Sequence, residues 1–201
     1  MTTPQDLLIV ALDVVPSRPV EQGDLSLALA GAEVIDLIDA QALTLDDDRI
    51  VPSARWTLAD RLLDEAASSL VRQMPYESVE DWLWRRGRGL SSVYVSALET
   101  EGQVTRQHGR WIPTRTSRTV LVDSPARRHA ADRWTSGEPV LAVLAAAVGI
   151  RDKPAEDSPS VTDEAVETVL AAVNNAVLEL DAVRQRRAIE DAAFDNIWRG
   201  D

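Results

Sequence analysis

Apolar residues recur at helical spacing along most of this chain, and short groups of Pro, Gly and Asp divide it into segments. The stretch from Leu25 to Leu43 predicts the principal helix. Leu25, Leu29, Ala32 and Ile35 line one face, and Leu27, Val34, Leu37 and Ile38 fill the flanks. So much apolar surface predicts burial on most sides, as in a central helix. Asp24 suits its N-cap. Thr57 to Gln73 predicts an amphipathic helix with Leu58, Leu62, Ala66 and Leu70 inward, ended by Pro75. Ser78 to Arg86 predicts another, with Val79, Trp82 and Leu83 apolar. Trp82 and Trp84 are two apart, so one is expected in the core and the other partly exposed. Leu90 to Glu101 is a helix closed by Gly102. Val140 to Ile150 is a buried helix, and Ser160 to Trp198 a long one, with Val166, Leu170, Val173, Val177 and Leu180 in period. Asp6 to Val15 is apolar without a decisive period, so helix and strand both stay open until Pro16.

Strands are few. Asp46-Asp47-Asp48 reads as a turn before a short strand from Arg49 to Val51, because it lacks the alternation and the distal glutamate of a calcium loop. Gln103 to Arg115 predicts a β-hairpin, with Val104 and Arg106 on one arm, His108-Gly109 at the turn, and Trp111 and Pro113 on the other. Thr119 to Val122 adds a third strand. Helix followed by hairpin outlines a winged-helix-like element, and Pro125 opens a helix carrying Arg127 and Arg128. The predicted fold is mainly α: a central helical bundle wrapped by amphipathic helices, with one or two short β-hairpins. A single domain over 1–201 is expected, with a polar, mobile loop near 151–160 and a long C-terminal helix over 161–198.

Composition narrows the chemistry. There is no cysteine among the 201 residues, which excludes disulfides, thiolate metal sites and cysteine nucleophiles. No secretory leader pattern and no transmembrane run is found, so a cytoplasmic location is expected, extending to the inner membrane face for a peripheral protein. No H-E-x-x-H, P-loop or G-x-G-x-x-G occurs, and His108 and His129 belong to no catalytic signature. The chain therefore reads as a non-enzyme without metal or cofactor. Glu33, Asp36 and Asp39, three apart on the principal helix, read as a solvated face rather than an acid/base pair.

Charge changes the picture most. The net charge is −12. Yet Arg85 to Trp134 holds 10 basic and four acidic residues, a local +6, which leaves −18 for the remainder. A basic block in an acidic chain reads as a footprint for an anion; the alternative is that its arginines pair with acids of the same fold. The acidic remainder disfavours nucleic acid.

The segments GDLSLALAGAEVIDLIDAQAL, LLDEA at Leu62–Ala66, ESVEDWL at Glu77–Leu83, VSALETEGQV and RTVLVDSPARR follow one another in an order that resembles the Golgi-phosphoprotein-3-like (GPP34) family, in a short bacterial form. The resemblance covers about residues 5–150. It implies a mainly helical globule and a peripheral membrane protein. Eukaryotic members bind phosphatidylinositol 4-phosphate in a basic pocket, beside a tryptophan that enters the lipid. By that resemblance Arg127 and Arg128 are the lipid- or phosphate-binding candidates, with Arg115 and Arg118 nearby and Trp111 as the membrane-interface candidate. Where the family carries its pocket tryptophan and one arginine, this chain has Glu21-Gln22-Gly23-Asp24 and Ala28-Leu29-Ala30. The expected partner is an anionic, phosphoinositide-like head group or membrane surface. The alternatives are a structural protein with a protein partner or a homo-oligomer and no lipid ligand, and a winged-helix nucleic-acid binder.

Overall fold

The computed structural model describes residues 1–14, 19–107, 118–150 and 161–198. Helix α2 (Gln22–Asp39) is the axis of the fold. Its residues from Asp24 to Ile35 are buried without a break. Helices α1 (Thr3–Asp13), α3 (Arg61–Ser68), α4 (Val79–Arg86), α5 (Leu90–Thr100), α7 (Pro139–Ala147) and α8 (Glu164–Trp198) all touch it. Helix α6 (Pro125–Thr135) packs outside α1. The open reading of the first segment resolves as helix.

The principal helix is shifted toward the N-terminus from its predicted bounds: it starts at Gln22, with Glu21 and not Asp24 at the N-cap, and it ends at Asp39. Gln41 takes φ 56°, and the Ala42 and Gln41 amides donate to Leu37 O and Ile38 O, both 2.9 Å. This is a Schellman closure without the usual glycine. The chain then enters strand β1 (Leu43–Asp46), which pairs with β2 (Arg49–Pro52) across the Asp47-Asp48 turn. Helix α3 also starts later than predicted. Asp60, not Thr57, caps it, accepting from the Leu62 and Leu63 amides at 3.0 Å. Ser78, Ser124 and Asp163 cap α4, α6 and α8 in the same way.

Strand β3 (Val104–Gln107) follows α5 and pairs antiparallel with β4 (Arg118–Leu121). Among the described residues the partner of Val104 is Leu121, from the predicted third strand. The predicted turn and the Trp111–Pro113 arm lie outside the described residues, as does the segment near 151–160.

Two close approaches set the long helix α8 on the axis. A Cβ on Gly31 would sit 2.2 Å from Val173 Cγ2, and one on Gly23 would sit 2.8 Å from Arg184 Nη2. Trp82 is fully buried and donates its indole N–H to Ala30 O at 3.1 Å, while Trp84 is partly exposed, as their spacing predicts.

Candidate functional site

Of the basic block's arginines whose side chains are described, all but Arg88 meet an acid of the same fold. Arg85 forks onto Glu77 at 2.6 and 2.7 Å. Arg86 forks onto Glu33, both bonds 2.8 Å. Arg133 reaches Asp6 at 2.7 Å and Glu138 at 2.8 Å. Arg127 on α6 crosses to Asp13 of α1 at 2.5 Å, and Arg128 turns back to Asp123 at 3.1 Å. Adjacent on one helix, the last two point to different elements and do not share a hollow. Arg118 ends β4, but its side chain lies outside the described residues, as do Arg115 and Trp111 entirely.

Of the three acids on the axis, Asp39 is exposed as expected of a solvated face, but Glu33 and Asp36 are not. Glu33 is fully buried, and besides Arg86 it accepts from the Tyr94 hydroxyl at 3.0 Å. Burial pushes its carboxyl up, opposed by the Arg86 fork. Asp36 is pushed up to about 6, again by burial, although it accepts the Thr3 amide at 2.7 Å. Asp6, also fully buried, is held by Arg133 and lies 3.2 Å from His129 Nδ1. These contacts pin α1, α2, α4, α5 and α6 together.

One cation of the block behaves differently. Among the described residues, Arg88 has no carboxylate, hydrogen-bond or ring partner. It stands between Gly87 and Gly89 in the corner joining α4 to α5. The sequence suggests a flexible link there, but the corner is fixed. A Cβ on Gly87 would lie 2.5 Å from Leu83 O, and Gly89 takes φ 70°, open to glycine at little cost.

Arg88 lines a cavity of about 330 Å³ together with Gln22, Gly23, Ser92, Trp84 and Leu180. Two helix starts meet here. No side chain caps the first turn of α2, so its amides are open. Helix α5 begins at Gly89, which has no capping side chain, and Ser26 of α2 substitutes: its Oγ accepts the Ser91 amide at 3.1 Å. A second guanidinium stands at the edge, where Arg184 pairs with Asp24 at 2.7 Å. A free arginine, open amides with the positive end of a helix dipole, and an exposed Ser92 form a cradle for a small oxyanion. Trp84, Leu27 and Leu180 give it an apolar rim. Gly87-Arg88-Gly89 was the available signal for this site: an arginine held between two glycines at a helix junction.

The model of the family described as Golgi phosphoprotein 3 (GPP34) matches residues 4–191. No curated protein matches the chain.

Proposed function

The chain belongs to the Golgi phosphoprotein 3 (GPP34) family, and from that premise we propose that it is a peripheral membrane protein that takes the phosphorylated head group of an anionic lipid into the Arg88 cradle. The family is lipid-binding in general and is not known as an enzyme family. Among the described residues no helix is long and apolar enough to cross a membrane, which suits attachment from one side. The observation that carries the reading is the uncommitted Arg88 beside the uncapped start of α2. A guanidinium without an internal carboxylate keeps its attraction for phosphate, whereas Arg86 and Arg133 are occupied. Trp84 is placed to meet the apolar edge of a head-group layer. Action on the cytoplasmic membrane face is part of the same proposal.

Arg127 and Arg128, with Arg115 and Arg118, take a lesser role as outer attractors. The Arg128–Asp123 pair is exposed on both sides, and such pairs are worth about 1 kcal/mol or less, so a lipid phosphate competes for it easily. Trp111 stays the interface anchor in this proposal, on sequence grounds.

The test is co-sedimentation with phosphatidylcholine vesicles carrying phosphatidylinositol 4-phosphate or phosphatidylglycerol. Arg88→Ala should weaken uptake about tenfold, the size of one charge-assisted contact, and the Arg127→Ala/Arg128→Ala pair should do less. A stronger loss on the phosphoinositide vesicles identifies that head group. Uptake unchanged by Arg88→Ala contradicts the assignment. No uptake on any anionic vesicle, with a stoichiometric complex or oligomer in light scattering, favours a protein-interaction role instead.

A further inference from the structure

A second cavity, of about 450 Å³, opens beside the cradle. Gln22, Ser91 and Ser92 line both, so the two adjoin along one seam. The far side of the second cavity is apolar: Leu8, Ala11 and Leu12 of α1, with Val20, Leu25 and Val95. Its near side carries Ser92 and Ser96, both exposed on α5, whose hydroxyls have no protein partner among the described residues. Between them the two linings offer a cation at Arg88, free hydroxyls at Ser92 and Ser96, and apolar side chains in both cavities. A glycerophospholipid carries the matching kinds of group: phosphate, ester carbonyls, acyl methylenes.

We propose that the second cavity receives the first carbons of one acyl chain of the lipid whose phosphate sits at Arg88, with the ester oxygens accepting from Ser92 and Ser96. This rests on the head-group reading given above and adds to it the class of ligand: a whole glycerolipid, lifted partly out of the bilayer, rather than a head group alone. An apolar wall beside an anion cradle is wasted on a purely polar ligand, but contributes about fourfold in affinity per methylene that it covers.

The experiment compares water-soluble probes on the full chain: deacylated glycerophosphoinositol 4-phosphate, and dibutanoyl and dioctanoyl phosphatidylinositol 4-phosphate below their micelle concentrations. The dioctanoyl probe should bind at least about tenfold tighter than the deacylated one. Ser96→Phe, at an exposed position, should narrow the cavity and remove that gain while leaving deacylated binding unchanged. Ala11→Leu should do the same from the opposite wall, so a folding defect in one variant leaves the other to decide. Equal affinity for all three probes, with Arg88→Ala still abolishing binding, overturns the acyl cavity and leaves the head-group reading standing. Deacylated binding that is indifferent to Arg88→Ala overturns the head-group reading instead.

Discussion

Arg86 and Arg88 are two residues apart and have opposite fates. Arg86 turns inward to a fully buried carboxylate, and Arg88 stands in a cavity mouth with no acid to meet. Removing a partner from a buried pair such as Glu33–Arg86 is costly, so Arg86 is committed to the fold; Arg88 is free for a ligand. Asp36 gives a sharper residue-level prediction. Burial holds its pKa near 6, against an ordinary value of 3.8, so the native state binds this proton more tightly than the unfolded chain does. Stability therefore falls as pH rises between about 4 and 6, and the penalty is complete above that window. Asp36→Asn, whose amide oxygen still accepts the Thr3 N–H, should raise stability by about 1–3 kcal/mol near neutral pH and change little near pH 4. Urea midpoints at the two pH values check it; a variant equally destabilised at both contradicts it. The pairings behind these behaviours were not legible in the sequence. Glu33 meets Arg86 across 53 positions and Asp6 meets Arg133 across 127, and no local pattern encodes such a distance. The three-residue spacing of Glu33, Asp36 and Asp39 looked like a wet stripe because polar residues usually face water. Helices α1, α4 and α5 close over Glu33 and Asp36 and leave only Asp39 exposed.

Among the elements, identity was legible and ends were not. The apolar period marked α2, α4, α5 and α8, and caps such as Ser78 and Ser124 follow ordinary chemistry. The end of α2 was hidden, because a left-handed Gln41 makes the closure that glycine normally signals. The pairing of β3 with β4 was hidden for a different reason: a local turn at His108-Gly109 competes on paper with a longer return that only the fold reveals. Of the candidate site, the sequence offered the basic block but not which arginine in it would lack an acid. The seat of α8 on α2 yields the prediction at this scale. Gly31→Ala in a helix should gain about 1 kcal/mol from propensity alone. Here the new Cβ would stand 2.2 Å from Val173 Cγ2, so overpacking wins and a net loss of about 1–3 kcal/mol is expected. In a double-mutant cycle with Val173→Ala the two costs should be less than additive. Strict additivity would mean that α8 shifts freely and is not seated by this contact.

For the whole molecule the difficulty is a net charge of −12 approaching an anionic surface. Screening resolves it. At physiological ionic strength charges more than about 8 Å away are largely damped, so the cradle is governed by Arg88 and the start of α2 rather than by the total, Arg184 being paired with Asp24. The internal pairing of the basic block has the same consequence: Arg85, Arg86, Arg127, Arg128 and Arg133 are each committed to an acid of the fold, and Arg88 acts locally. The proposed membrane attachment would be modest and reversible, set by one phosphate contact and the apolar surface beside it. The most direct measurement is an amide-resolved NMR titration of the full chain with deacylated glycerophosphoinositol 4-phosphate. Saturable shifts should gather at Gln22, Gly23, Arg88 and Gly89, and disappear in Arg88→Ala. Shifts gathered instead at Arg127 and Arg128, or none at all, would contradict an anion site at the meeting of α2 and α5.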